Sequence, residues 1–441
     1  MPATPADMPS RAQTAQPGGA LPAVKAFSAP RPTASLRANS DIARDFLELS
    51  FNLESGRSLP TLTRFEGPIS VRVTGRPPSG LGSDLNRLLH RLRTEARIDI
   101  RQDQKETANI TIEAVPRSEI RKLLPQAACF VAPNVSSIAQ YRLARRTSLV
   151  NWTSLKERKT LAIFLPNDAS PQEVRDCLHE ELAQALGPLN DLYRLPDSVF
   201  NDDNVHTVLT GFDMLILRAY YDPSLRNGMS KREVASRIGG ILSRINPRGA
   251  QYSPRRLTRT PRSWINSIQR ALGPGASQKE RMSAAKEAMQ IAVAMGWSDH
   301  RRAFSHYAMG RLQMSVDLKS AREHFQIAAR LYGQSQSTRL HSAYAASQLA
   351  SFYIAEGNGE AALKQIGPHL DTAARYENAA LLSTLMLQRA EALDLAGRSS
   401  EARTVRMDSL GWARYGFGPD WAVRAKVREI SSLSPLKRGR G

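Results

Sequence analysis

The chain has 441 residues, of which 41% are hydrophobic and 23% are charged. That length asks for two or three domains, and the apolar content suffices for packed cores. Two cysteines exclude a disulfide scaffold and a four-thiolate zinc site. No apolar run reaches the roughly 20 residues that a spanning helix needs. Lys and Arg number 61 against 41 Asp and Glu, a net charge of +20. That balance calls for an anionic partner: nucleic acid, an anionic membrane surface or an acidic polymer.

Residues 1–38 are rich in Pro, Ala, Ser and Thr, lack a hydrophobic period and read as a disordered arm. The start Met1-Pro2-Ala3 has neither the basic residues nor the apolar stretch of a signal peptide. Residues 39–245 read as one α+β domain. Ile69-Ser70-Val71-Arg72-Val73 alternates like a half-buried strand. Leu85, Leu88, Leu89 and Leu92 have the spacing of an amphipathic helix, capped by Ser83 or Asp84. Further strands are expected at Ile98-Asp99-Ile100, Asn109 to Glu113, Cys129-Phe130-Val131 and Leu161 to Leu165. Pro171 then opens a helix that runs through Val174, Leu178 and Leu182 to about Leu186, where Gly187 stops it.

Residues 246–275 read as a basic linker, because Pro247, Gly249, Pro254, Pro261, Gly273, Pro274 and Gly275 interrupt regular structure. From Arg226 to Arg270 there are 11 Lys or Arg and one acid, Glu233, half of the whole excess. Tyr252 and Trp264 are interleaved with these arginines, a pattern able to bind single strands or anionic polymers. Arg255, Arg256, Arg259 and Arg262 would carry that binding. A solvated linker meeting acidic faces of its neighbours is the simpler reading. There is no P-loop and no persuasive helix-turn-helix, so nucleic acid is the weaker choice of partner.

Residues 276–430 are helical and repeat. Ala350, Gly357 and Ala362 recur as Ala390, Gly397 and Ala402 at a constant offset of 40 residues. A looser earlier copy has Ala308, Gly310, Ala321 and Phe325. Small residues at fixed places let the helices of a hairpin approach closely, with glycine at the turn. The pattern resembles a long-repeat variant of the tetratricopeptide family, which implies an all-α solenoid that binds a protein or peptide partner. Residues 431–441 form a basic tail.

The stretch most able to carry chemistry is Asp176-Cys177-Leu178-His179-Glu180-Glu181-Leu182-Ala183-Gln184-Ala185-Leu186-Gly187-Pro188-Leu189-Asn190-Asp191. A zinc-peptidase helix needs H-E-x-x-H, two histidines one turn apart. From His179 the second ligand position holds Ala183, so that register fails. Shifted by one residue, Glu180 and Gln184 take the ligand positions and Glu181 that of the general base. Gly187 takes the glycine turn, and Asn190, with Asp191 beyond it, takes the third ligand.

This helix, with Phe51 to Arg57, Phe200-Asn201-Asp202-Asp203, and Leu209-Thr210-Gly211-Phe212-Asp213 through Tyr221-Asp222-Pro223, resembles an uncharacterised bacterial family. That family has a metzincin-like domain, sometimes extended by tetratricopeptide-like repeats. The likeness runs from about Ser40 to Pro247. It implies a zincin-like α+β fold followed by the all-α solenoid, and a degenerate metallopeptidase ancestry. The expected role is a degenerate peptidase domain coupled to a protein-binding scaffold; an active metal-dependent hydrolase with Glu181 as base is the alternative. Oxygen donors from Glu180, Gln184, Asn190 and Asp191 suit Ca²⁺, Mg²⁺ or Mn²⁺ better than Zn²⁺, with His179 and His206 as recruitable ligands to such a divalent metal ion. Without a metal, Glu180, Glu181 and Gln184 form a hydrogen-bonded polar cluster.

Cys129 and Cys177 are either a disulfide pinning this helix to the sheet, which argues for an oxidising envelope compartment, or two buried thiols. The compartment is accordingly periplasm or cell envelope if a signal lies upstream, and cytoplasm otherwise. Phe200-Asn201-Asp202-Asp203-Asn204 reads as a metal loop or as a turn capping the next helix.

Overall fold

The computed structural model describes residues 21–27, 34–105, 107–255 and 257–437. The sheet domain contains, in chain order, α1 (Asn39–Phe51), β1 (Ile69–Gly75), α2 (Leu81–Thr94), β2 (Ile100–Gln102), β3 (Ile110–Val115), α3 (Arg117–Leu123), β4 (Phe130–Pro133), α4 (Ile138–Ala144), β5 (Leu161–Pro166), α5 (Pro171–Leu186), α6 (Gly211–Tyr220) and α7 (Lys231–Ile245). The helical region continues with α8 (Arg262–Leu272), α9 (Gln278–Ala294), α10 (His300–Gln313), α11 (Leu318–Tyr332), α12 (Arg339–Ala355), α13 (Gly359–Ile366), α14 (Leu370–Arg375), α15 (Ala379–Leu395), α16 (Ser399–Phe417) and α17 (Asp420–Ser431).

The strands form one five-stranded sheet in the order β2-β1-β3-β5-β4. All neighbours are parallel except β4, which runs antiparallel along the edge of β5. Alternation decides the two faces. Leu161, Ile163 and Leu165 join Ile110, Ile112, Ile69 and Val71 in the main core under α1, α2, α5, α6 and α7. Ala162 and Phe164 point the other way, onto Phe130 and Ile120 beneath α3 and α4. Every residue of β5 is therefore buried, as expected of a central strand covered on both sides.

α5 starts as the sequence indicates. Pro171 is its first residue, and the Ser170 hydroxyl accepts from the Glu173 amide. It ends at Gly187, but not through a left-handed turn, since Gly187 has φ −167°. The glycine is needed because a Cβ there would lie 3.0 Å from the Tyr220 ring. The last carbonyls are gathered by the buried Arg158, which donates to Gln184, Ala185 (2.8 Å) and Gly187. A guanidinium suits this end of a helix on both hydrogen-bond and dipole grounds. Cys129 and Cys177 are bonded, with Cα atoms 5.9 Å apart, so α5 is tied to the start of β4.

The second region is built of antiparallel hairpins, α8/α9, α10/α11, α12/α13 and α15/α16, an arrangement compatible with a helical solenoid. The 40-residue offset is visible in space. Ala350, Ala362, Ala390 and Ala402 are fully buried, and Gly357 and Gly397 turn their hairpins with φ +77° and +75°. In the earlier copy, a Cβ on Gly310 would lie 2.9 Å from the Phe325 ring.

Several boundaries differ from expectation. The linker at 246–275 contains α8, whose Trp264 is fully buried against Tyr193, Trp297 and Phe304. Most of the arm at 1–38 falls outside the described residues, yet residues 21–27 lie against α16 and Arg37 is buried beside Asp45 and Asp197. Within the tail, Lys437 pairs with the carboxylates of Glu391 and Asp394. α2 begins before Ser83 and Asp84, with Gly80 as its N-cap, and those two side chains sit in its first turn. The turn at 200–204 caps nothing; α6 is capped reciprocally by Thr210 and Asp213.

The two regions are locked together by buried polar contacts. Arg175 of α5 pairs with Glu377 at 2.8 Å. Gln172 donates to Asn378 at 3.2 Å and accepts from the Ala380 amide at 2.8 Å. His341 of α12 meets Asp203 at 2.8 Å, and His300 of α10 meets the Tyr193 carbonyl at 2.6 Å. No described helix is long and apolar enough to cross a membrane.

Candidate functional site: an acid-lined chamber beside α5

Glu180, Glu181 and Gln184 project from α5 towards carboxylates delivered by three other segments: Glu54 after α1, Asp191 after α5, and Asp202 in the turn beyond it. Gln184 Nε2 donates to Glu54 Oε1 at 3.3 Å. Glu54, Asp191 and Asp202 line a cavity of about 510 Å³ between the sheet domain and the segment leading into α8. Asn190, Tyr193, Arg259, Arg262, Ile265 and Gln269 complete much of its wall.

The acids outnumber their partners. Tyr193 and Gln269 both donate to Asp202, at 3.0 Å each. Arg262 donates to the backbone carbonyl of Glu54, at 2.7 Å, not to its carboxylate. Arg194 on the wall is already paired with Asp45 and Glu48, at 2.7 Å each. Glu181 Oε2 and Asp191 Oδ1 are buried without a partner.

Electrostatics follow from this shortage. Burial pushes Glu180 up to about 8, with Glu54 and Asp202 adding repulsion. Burial and then Glu180 and Glu54 hold Glu181 well above the usual carboxylate range. Asp191 is raised in the same way, by burial first and Glu54 next. Glu54 is raised by burial and by Asp202. Buried among other acids, these carboxyls favour the protonated form more than free ones do, and a cation placed among them would reverse that.

The two candidate histidines do not join them. His179 turns from the chamber and accepts the Leu209 amide on Nδ1 at 3.1 Å. Burial, then Arg91 and Arg175, keep it neutral. His206 lies at the junction with the helical region, its Nε2 2.9 Å from the Pro196 carbonyl and its ring against His341 and Tyr376. Burial, reinforced by His341, brings it down to about 4. Asn190 lines the chamber and donates to the Glu48 carbonyl at 3.1 Å. Among the described residues, no three His, Cys, Asp or Glu side chains are disposed to hold a metal ion. The donor set is oxygen-only, and a zinc-type shell containing imidazole does not form here.

Sequence spacing reached Glu180, Glu181, Gln184, Asn190 and Asp191 because they share one helix and its turn. It missed the part played by Glu54, and it placed Asp202 in a separate loop at 200–204 instead of beside α5. The visible signal for both was an acid inside a polar, turn-rich stretch, common on any surface.

Residues 39–239 match the family described as "Protein of unknown function (DUF2927)". That match covers the sheet domain and stops within α7, before the helical region. No curated protein and no solved structure matches the chain.

Proposed function

We propose that the chain is a binding protein: a zincin-like, metzincin-derived domain of degenerate metal motif, coupled to a tetratricopeptide-like array that recruits a protein or peptide partner. One observation carries this reading. The helix that would hold the catalytic metal offers only carboxylate and amide oxygens, while His179 and His206 are spent on other contacts. Ordinary catalytic zinc sites keep at least two nitrogen or sulfur ligands in most cases.

A metal-dependent hydrolase is the second reading, favoured by the partnerless Glu181 Oε2 and by the chamber beside α5. Metal analysis of the purified protein, with wild type and Glu181→Gln assayed on a peptide library, separates the two. The binding-protein reading expects no stoichiometric metal and no hydrolysis that Glu181→Gln abolishes. Stoichiometric metal together with such hydrolysis overturns it. The Cys129–Cys177 bond supports an oxidising envelope compartment for either role. Nucleic-acid binding through the basic segment stays the weaker proposal. Arg262 is engaged with Glu54, Arg255 donates its amide to Asp41, and Arg256 lies outside the described residues.

A further inference from the structure

Residues 21–27, Leu-Pro-Ala-Val-Lys-Ala-Phe, form no helix or strand, yet they lie along α16. Lys25 and Phe27 are half-buried, while Val24 before them and Ala26 between them are exposed, the alternation of an extended chain. The Lys25 amide donates to the Gly411 carbonyl at 3.1 Å, and its ammonium reaches Asp408 and lies 5.5 Å from the Trp412 ring. Phe27 stacks on Trp412 with centroids 4.5 Å apart and meets Tyr415 edge-on. The Arg175 guanidinium lies 5.3 Å from the Phe27 ring. Backbone carbonyls are read as well: Pro22 by Arg414 at 2.8 Å, and Phe27 by Arg87.

The seat is built by elements that hold one another without this segment. Tyr415 donates to Asp84 of α2 at 2.9 Å, and Arg175 is paired with Glu377. Gly411 is part of the seat, because a Cβ there would lie 2.8 Å from Lys25 Cγ and 3.0 Å from the Ala23 carbonyl oxygen. A pre-formed groove that reads backbone carbonyls, one ammonium and one aromatic ring is a peptide-recognition surface. Its present occupant is short and half-exposed, so its covalent attachment to the chain, which raises its effective concentration at the groove, contributes to its hold.

We propose that the α16 groove is a docking site for an extended segment of a partner protein carrying lysine two residues before phenylalanine, and that residues 21–27 fill it in cis. This rests on the reading of the helical array as a partner-binding scaffold and names the partner's chemistry. Asp408 selects the lysine, Trp412 and Tyr415 select the aromatic ring, and Gly411 admits the backbone. An arriving segment must displace residues 21–27, so the site answers only to partners that outcompete the tethered copy.

The test uses the full-length chain and a fluorescent peptide with the sequence of residues 21–27. A Lys25→Ala/Phe27→Ala chain should bind the peptide at least about tenfold more tightly than wild type, because its own segment no longer competes. Adding Gly411→Val to that variant should abolish binding. Should Gly411→Val fail to fold, Asp408→Lys serves instead: it should lose the peptide and regain it when the peptide's lysine is replaced by glutamate. Equal binding by wild type and the double variant, or binding indifferent to both groove substitutions, overturns the proposal. So does concentration-dependent dimerisation of wild type that Lys25→Ala/Phe27→Ala removes, since the occupant is then a second copy. The titration needs neither metal nor hydrolysis, so its failure removes this occupant alone. Hydrolysis abolished by Glu181→Gln would overturn the binding-protein reading and leave the groove standing.

Discussion

The two sides of α5 face buried polar surroundings of opposite character. Towards the helical region, Gln172 and Arg175 find complementary partners in Asn378 and Glu377. Towards the chamber, Glu180 and Glu181 meet more acids, and Glu181 Oε2 and Asp191 Oδ1 are left without partners; on the other side the exception to the matching is Asp176, whose Oδ1 is also orphaned. A matched buried charge is explained by the fold, since it satisfies its own desolvation. An unmatched group of acids destabilises the chain that carries it, and such groups collect where a protein meets a ligand. The same helix thus works as a structural beam on one side and, on the other, turns Gln184 onto Glu54, one of the acids that line the chamber.

The sharpest way to break this comparison is on the matched side. Arg175→Ala leaves Glu377 buried without its cation and should cost about 3–5 kcal/mol, read as a lowered midpoint in urea unfolding. A loss near zero would mean that the junction is not a buried ion pair in solution. The unmatched side should respond with the opposite sign. Folded Glu180 is raised to about 8 from an ordinary 4.5, so between those values the folded state holds a proton that the unfolded chain releases. That contribution is fully present below pH 4.5 and is lost as pH rises through 8. One such proton gives a slope of up to about 1.4 kcal/mol per pH unit. Glu180→Gln should flatten the decline and stabilise the protein at pH 8 to 9.

The junction histidines slope the other way. His206 and His300 are brought down to about 4 from 6.5, chiefly by burial, so they favour folding above pH 6.5 and weaken it as pH falls through 4. Denaturant unfolding of wild type and Glu180→Gln above pH 6.5 therefore isolates the chamber. The smallest effect expected is that of Gln172→Ala, about 1 kcal/mol, since it removes neutral hydrogen bonds without stranding a charge. A loss as large as that of Arg175→Ala would show that the junction works as one network, which a double-mutant cycle would quantify.

Much of the sheet was legible in the sequence. β1, β3 and β5 announce themselves as alternating or continuous apolar runs, and α5 as a proline start with a glycine stop. The 40-residue offset is legible because the alanines it compares are buried and its glycines turn helical hairpins, an arrangement compatible with a solenoid. α8 was obscured by its flanks: the prolines and glycines around it suggest a linker, although Trp264, Ile268 and Ala271 already carry a buried helical stripe. The chamber was only half legible. Residues on one helix are related by spacing, whereas Glu54 and Asp202 arrive through tertiary packing, for which no local pattern exists. The fate of His179 was equally hidden, because its partner is a backbone amide 30 residues away.

The contact of Lys25 with Asp408 spans 383 positions of the chain. During synthesis residues 21–27 emerge long before their seat on α16 is made. At typical elongation rates the interval is on the order of a minute. For all of that time Lys25 lacks Asp408 and Phe27 lacks Trp412 and Tyr415, and both are open to any surface that offers a carboxylate beside an aromatic ring. The groove therefore cannot close until α16 has been made, and until then the nascent chain carries the segment without that seat.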